Sequence, residues 1–219
     1  MSVHLQREIE SIKRSVLSLC AIVEDQVQMA VRALLERDGD MARAVERRDR
    51  EIDLREVEIE EECLKTLALH QPVAADLRLI VAALKINGDL ERIGDLAVNI
   101  TRKTIGLLDE PEIAIPFDLS GMWEKTQLML RDSLDSLVNM DANLATDVVN
   151  RDDEVDHMKR ENRILIEGMI QQSPERTIPL LRLMAVSRSL ERIADGATNI
   201  AEEVIYMIEG RIVRHGEIE

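Results

Sequence analysis

The chain has 219 residues, of which 45% are hydrophobic and 32% charged, yet Trp123, Tyr206 and Phe117 are its only aromatics. With nine Gly and five Pro there is little material for turns, and the composition is that of long helices packed on Leu, Ile, Val and Ala rather than of a sheet protein. The formal charge of −15, from 28 basic and 43 acidic residues, excludes a nucleic-acid partner, which needs a positive surface, and suits cations or a partner with a basic face.

The N-terminus, MSVHLQREIE, carries no apolar signal segment. A first helix is predicted over about 6–37, where Ile9, Ile12, Val16, Leu19, Val23, Val27, Ala30 and Leu34 recur in steps of three and four. Asp38-Gly39-Asp40 makes a turn, and a second helix continues to about residue 70. There His70-Gln71-Pro72 breaks it, because a proline disfavours helical geometry at the residue before it. The third helix spans about 73–108 and contains the longest apolar run, LIVAAL at 79–84, far short of the roughly 20 residues a membrane span needs. Residues 109–121, DEPEIAIPFDLSG, hold two prolines and a closing glycine and read as the inter-domain linker.

A fourth helix is expected over about 120–139, a turn at Asn139-Met140-Asp141, and a fifth helix over about 141–172. Ser173-Pro174-Glu175 starts the sixth, with a capping hydroxyl and Pro at the first helical position, and Gly210 stops it before a short polar tail. Helices of about 30 residues are about 45 Å long. The expected fold is therefore all-α: two tandem antiparallel three-helix bundles, residues 1–110 and 111–219. Cys20 and Cys63 stand alone in helical stretches and read as buried apolar residues in a reducing compartment, so the cytoplasm is the expected location.

The two halves repeat one another. Residues 88–100 read GDLERIGDLAVNI and residues 188–200 read RSLERIADGATNI, one hundred positions apart. Core packing alone would preserve the apolar positions, but here acids and an amide recur in step. A second echo links Arg48-Asp49-Arg50-Glu51-Ile52-Asp53 to Arg151-Asp152-Asp153-Glu154-Val155-Asp156, at an offset of 103 (48 to 151). The second half must then be three residues shorter between its motifs, at the turn near Ser173.

Glu91, Asp95 and Asn99 are spaced i, i+4, i+8, so each is rotated about 40° from the last and all share one helix face; Glu191, Asp195 and Asn199 do the same. Asp49/Asp53 and Asp152/Asp156 add i, i+4 acid pairs, although like charges at that spacing destabilise an isolated helix by a few tenths of a kcal/mol (about 0.2–0.5). If the neighbouring helices pack together, Asp49 and Asp53 face Glu91 and Asp95, and Asp152 and Asp156 face Glu191 and Asp195. Carboxylates with an amide oxygen form a hard-cation environment suited to Mg, Mn, Ca or Fe(III). A single such spacing is usually a solvated face; its recurrence on paired helices in both halves favours a cation site. Arg92 and Arg192 could neutralise acids instead, but they point about 100° from their own stripe. Gly88, Gly94 and Gly196, with Ala97, Ala194 and Ala197, make a narrow surface for close helix packing or a ligand. His157 beside Asp156 reads as a surface residue. The chain has no HExxH, GxxxxGK[ST] or GxSxG pattern, so no enzyme activity is expected.

The segments HQPVAADLRLIVAALKINGDLERIGDLAVNI (70–100) and SRSLERIADGATNIAEEVIYMIEG (187–210) closely resemble the PhoU family of phosphate-transport regulatory proteins. The resemblance covers nearly the whole chain and rests on an E-R-I-x-D-x-x-x-N-I motif in each half. It implies a cytoplasmic, commonly dimeric negative regulator linking the phosphate ABC transporter, through its ATPase subunit, to a sensor histidine kinase. It also implies metal ions or multinuclear clusters (Fe, Mg, Mn or Zn) bound through E/DxxxD motifs. The metal contacts so implied are Asp49, Asp53, Glu91, Asp95 and Asn99 in one site, and Asp152, Asp156, Glu191, Asp195 and Asn199 in the other. The family often has His after the second-motif aspartate; this chain has Gly196, and any contact that His makes is absent. The density of carboxylates leaves a second reading, a helical protein that buffers or stores metal without a signalling role.

Overall fold

In the computed structural model residues 3–213 are described, and the polar tail anticipated after Gly210 lies largely outside them. Among the described residues the elements are α1 (Val3–Leu35), α2 (Gly39–His70), α3 (Ala74–Leu108), α4 (Leu119–Asn139), α5 (Ala142–Val149), α6 (Asp152–Gln172), a 3₁₀ turn (Pro174–Arg176) and α7 (Thr177–Glu209). No helix among them is long and apolar enough to cross a membrane.

The helix boundaries follow local chemistry. After α1 the chain turns through Arg37 in the left-handed region (φ 53°), the Asp38 N–H donates to the Ala33 carbonyl, and the Asp38 carboxylate caps the Asp40 and Met41 N–H groups. The α4–α5 turn repeats this residue for residue: Met140 is left-handed (φ 51°), the Asp141 N–H donates to Ser136, and its carboxylate caps Asn143 and Leu144. Such a reversal satisfies the last carbonyls of one helix and the first N–H groups of the next. Gly210 closes α7 in the left-handed region (φ 71°), as its position predicts. The three residues lost between the second half's motifs are missing where expected: Gln71–Val73 separate α2 from α3, whereas Ser173 alone separates α6 from the 3₁₀ turn. Ser173 makes no side-chain cap bond, and α7 proper begins only at Thr177.

The single fifth helix expected over 141–172 is two helices. The Asn150 N–H closes α5 on Thr146, and the Arg151 N–H reaches only to Val148, a tightened i→i−3 bond that ends the helix. Arg151 turns its guanidinium to Asp132 on α4, and Asp152, Asp153 and Glu154 then occupy the first turn of α6, where the helix dipole favours acids. The break therefore puts Asp152 at a helix start.

Each half wraps its two outer segments around a central motif helix, α3 or α7, and the most extensive helix–helix contact of all is between those two. Lys85 meets Glu203, Ile93 meets Gly196 and Gly106 meets Arg182, so numbers ascend on α3 as they descend on α7. The helices are antiparallel and the two thirteen-residue motifs lie side by side. The core is aliphatic: Ile80, Ile86, Leu90, Ile93 and Ile100 of α3 and Leu190, Ile193, Ala197 and Ile200 of α7 are buried. Each such Leu or Ile contributes about 1.5–3 kcal/mol by burial. Cys20 and Cys63 are buried and unpaired, as their setting predicts.

Glycine permits the close crossing. A Cβ on Gly196 would stand 2.9 Å from Ile93 Cγ1, and one on Gly94 would stand 3.0 Å from Ile52 Cδ1 on α2. Gly88 has open space around it. Gly196→Val should therefore lower stability by about 1–3 kcal/mol through overpacking, whereas Gly88→Ala should raise it by about 0.5–1 kcal/mol through backbone entropy. Thermal or urea unfolding of the two variants checks both signs.

Candidate metal centres

The α2–α3 seam gathers the first acidic set. Gly94 lets α2 approach until Asp49 Oδ1 is 3.6 Å from the position a Cβ would take. Asp49 is half-buried and its Oδ1 accepts a 2.9 Å hydrogen bond from Gln26 Nε2 of α1. Burial pushes the Asp49 carboxyl above its ordinary range; the Gln26 bond opposes this, while Asp53 and Asp95 add repulsion. Glu91 is also raised, first by burial and then by Asp95, Glu56 and Asp53. Asp49, Asp53, Glu91 and Asp95 thus share one field, and Asn99 is half-buried one turn further along the same face. Glu56, itself raised by burial and by Glu60 and Asp53, is a member of this set that the sequence reading missed. Its i+3 spacing from Asp53 was the available signal.

Gln26 was missed too. It is completely buried, and its second amide atom, Oε1, has no partner among the described residues. A buried amide oxygen without a partner costs about 1–3 kcal/mol. The carboxylates make an all-oxygen donor set, which fits a hard cation such as Mg, Mn or Fe better than zinc, whose sites favour His and Cys.

The second set lies between α6 and α7. Carboxylate oxygens of Asp156, Glu191 and Asp195 all lie within 4.8 Å of one another. Asp195 is pushed up to about 6, first by desolvation and then by Glu191, Asp152 and Asp156, against the pull of Lys159. Asp152 is raised by burial, although the Thr198 hydroxyl donates to its Oδ1 at 3.1 Å. Lys159, unnoticed in the sequence, places Nζ 2.6 Å from Glu191 Oε1 and 3.7 Å from Asp156 Oδ1; Arg160 approaches Asp156 at 3.5 Å. Asn199 is directed differently from the rest: its amide supports the ionised Asp89 carboxylate across the α3–α7 seam. Arg92 also pairs with Asp89, at 3.2 Å, and leaves its own stripe free, as its angular position requires. His157 is exposed and faces Glu161 rather than the triad.

Beside this set, a cleft of about 1110 Å³ opens between α3, the α5–α6 turn and α7, with Asp152, Asp195, Asn199, Gly88 and Arg92 on its walls. At its rim Lys85 Nζ binds Glu203 at 2.8 and 3.0 Å and lies 5.3 Å over the Tyr206 ring.

Each half of the chain matches the same known domain. The PhoU domain model matches residues 16–104 and again 119–204. The chain belongs to the PhoU family. It is 39% identical over 217 residues to the phosphate-specific transport system accessory protein PhoU homolog of Pseudomonas putida, covering 98% of this chain and 84% of that protein. It is 34% identical to the phosphate-specific transport system accessory protein PhoU of Escherichia coli K12, over 95% and 86% of the two chains. The crystal structure of PhoU from Pseudomonas aeruginosa superposes with a TM-score of 0.90 at 36% identity, over 94% of this chain and 99% of that one. The phosphate transport system regulatory protein PhoU from Streptococcus pneumoniae gives 0.85 at 25% identity, over 96% and 100%. The two tandem helical units expected from the sequence are thus the PhoU fold, and the relatives' names describe accessory and regulatory proteins rather than enzymes.

The raised Asp195 carboxyl has a consequence for stability in metal-free protein. A folded value of about 6 against the ordinary 3.8 means that the folded state holds its proton more tightly, so a penalty builds as pH rises from 3.8 to about 6 and stays constant above. Asp195→Asn should raise the melting temperature at pH 7, and the gain should shrink steadily as pH falls toward 4. Melting curves across that range in the presence of a chelator check the trend.

Proposed function

We propose that this PhoU-family chain is an accessory regulator of phosphate uptake, working in the cytoplasm as a homodimer, and not an enzyme. The observation that carries the reading is the match to named phosphate-transport accessory proteins, which extends over nearly the whole chain and both repeats. On this reading the protein contacts the ATPase subunit of a phosphate ABC transporter and a sensor histidine kinase, and holds the phosphate-starvation response off while phosphate is plentiful. An acidic, helical body suits a role exerted by occupying a partner's basic surface. Deleting the gene should switch on phosphate-starvation genes at high phosphate; reporter expression unchanged from the parent strain would overturn the regulatory assignment.

The acidic sets are proposed as cation sites. Asp49, Asp53, Glu91 and Asp95, with Asn99 nearby, would hold metal at the α2–α3 seam, and Asp152, Asp156, Glu191 and Asp195 at the α6–α7 seam. Fe, Mg or Mn fits the oxygen donors. A bound cation would neutralise carboxylates that now repel one another and would tie each outer helix to its motif helix, setting the shape of the surface presented to partners. Elemental analysis of protein purified without chelators should find bound metal, and an Asp95→Ala/Asp195→Ala variant should lose most of it. Equal metal content in the two proteins would sink the assignment of these residues.

A further inference from the structure

Superimposing the two repeats at their offset of 103 puts Asp49 on Asp152 and Asp53 on Asp156, and the same register puts Glu56 on Lys159 and Val57 on Arg160. The register is structural as well as textual: Ile52 and Val155 are both buried, and Arg48–Asp25 and Arg151–Asp132 are matching ion pairs to the first helix of each half. At one equivalent position, then, the first set has a carboxylate and the second an ammonium.

The surroundings differ accordingly. In the first set none of Asp49, Asp53, Glu56, Glu91 and Asp95 has a basic group within ion-pair distance among the described residues. Arg102 is engaged with Glu46 at 3.7 Å and Arg92 with Asp89, so both act on the set only through space. In the second set Lys159 Nζ sits between Glu191 Oε1, at 2.6 Å, and Asp156 Oδ1, at 3.7 Å, where these two join Asp195 in the close triad. Glu191 is buried, so this contact is shielded from solvent on one side.

Resting on the cation reading above, we propose that Lys159 is the resident counter-cation of the second site and sets an order of loading. The first site takes a divalent cation directly. The second takes one only when the ion displaces the Lys159 ammonium from Glu191 and Asp156. The two halves of this duplicated protein would therefore respond to different metal concentrations, with the second half keeping its helices tied together when metal is scarce.

The test is a Mn²⁺ titration of the full chain, stripped with chelator and desalted, as wild type, Lys159→Met and Glu56→Lys. Wild type should bind in two phases. Lys159→Met should strengthen the weaker phase on the order of ten-fold, and Glu56→Lys should abolish the tighter one while leaving the other in place. Phases of equal affinity that Lys159→Met does not move, or a tight phase that survives Glu56→Lys, would overturn the order of loading. Absence of Mn²⁺ binding in all three proteins would remove the cation reading and the loading order together. The counter-cation role has its own readout in chelator: Lys159→Met should lower the melting temperature by about 2–4 °C and Glu56→Lys should raise it. An unchanged or higher melting temperature in Lys159→Met would overturn that role whatever the metal data show.

Discussion

The antiparallel contact between α3 and α7 is the constraint on which the rest of the molecule depends. Ile93 enters the notch left by Gly196, and no other residue type at 196 leaves that space without moving the isoleucine. Because the helices run in opposite directions, the seam relates the two halves and brings both acidic motifs to the middle of the protein. Each motif helix must then serve two masters: its apolar stripe faces the seam and core, and its acidic stripe is left for the outer helix of its own half. The ends of the seam are tied by polar contacts, Lys85 to Glu203 at one and Arg182 to Gly106 and Glu110 at the other.

This geometry explains why carboxylates collect where they repel. The acids stand on the outer helices at i, i+4 spacing, opposite acids of equal spacing on the motif helices, and burial raises several of them further. Such an arrangement lowers the stability of the metal-free chain, and local penalties of this sort are characteristic of sites that await a charged partner. The two sites relieve the penalty by different means. The first uses the buried Gln26 amide, one atom of which reaches Asp49 while the other has no partner among the described residues. The second uses the Lys159 ammonium and the Thr198 hydroxyl. Duplication produced two similar frames, and single residues at equivalent positions have since given them unlike chemistry.

Much of the fold was legible in the sequence because helix periodicity, capping residues and the internal repeat are local signals. Gly210 as the stop of α7, the breaks at Gln71 and Met140 and the shortened connection at Ser173 all follow from such signals. The break at Asn150–Arg151 was not legible. Neither residue is a helix breaker, and the interruption depends on Arg151 reaching Asp132 on another helix and on three acids that favour a new helix start. The sequence also carried the matched caps Asp38 and Asp141, though their equivalence is plain only once both are seen to follow a left-handed residue.

The amino-acid order by itself determined the class of fold, the membership of two repeats and the faces on which the acids stand, since each depends on spacing along one helix. Which acids meet, and what stands among them, was decided only by tertiary structure. Gln26 and Lys159 join the sites through packing between helices, and Asn199 leaves its expected neighbours for Asp89 because the antiparallel seam offers it a carboxylate there. Side chains on one helix share a direction by geometry, but electrostatic partners are set by what the neighbouring helix presents at the same height, and no periodicity within a single helix encodes that.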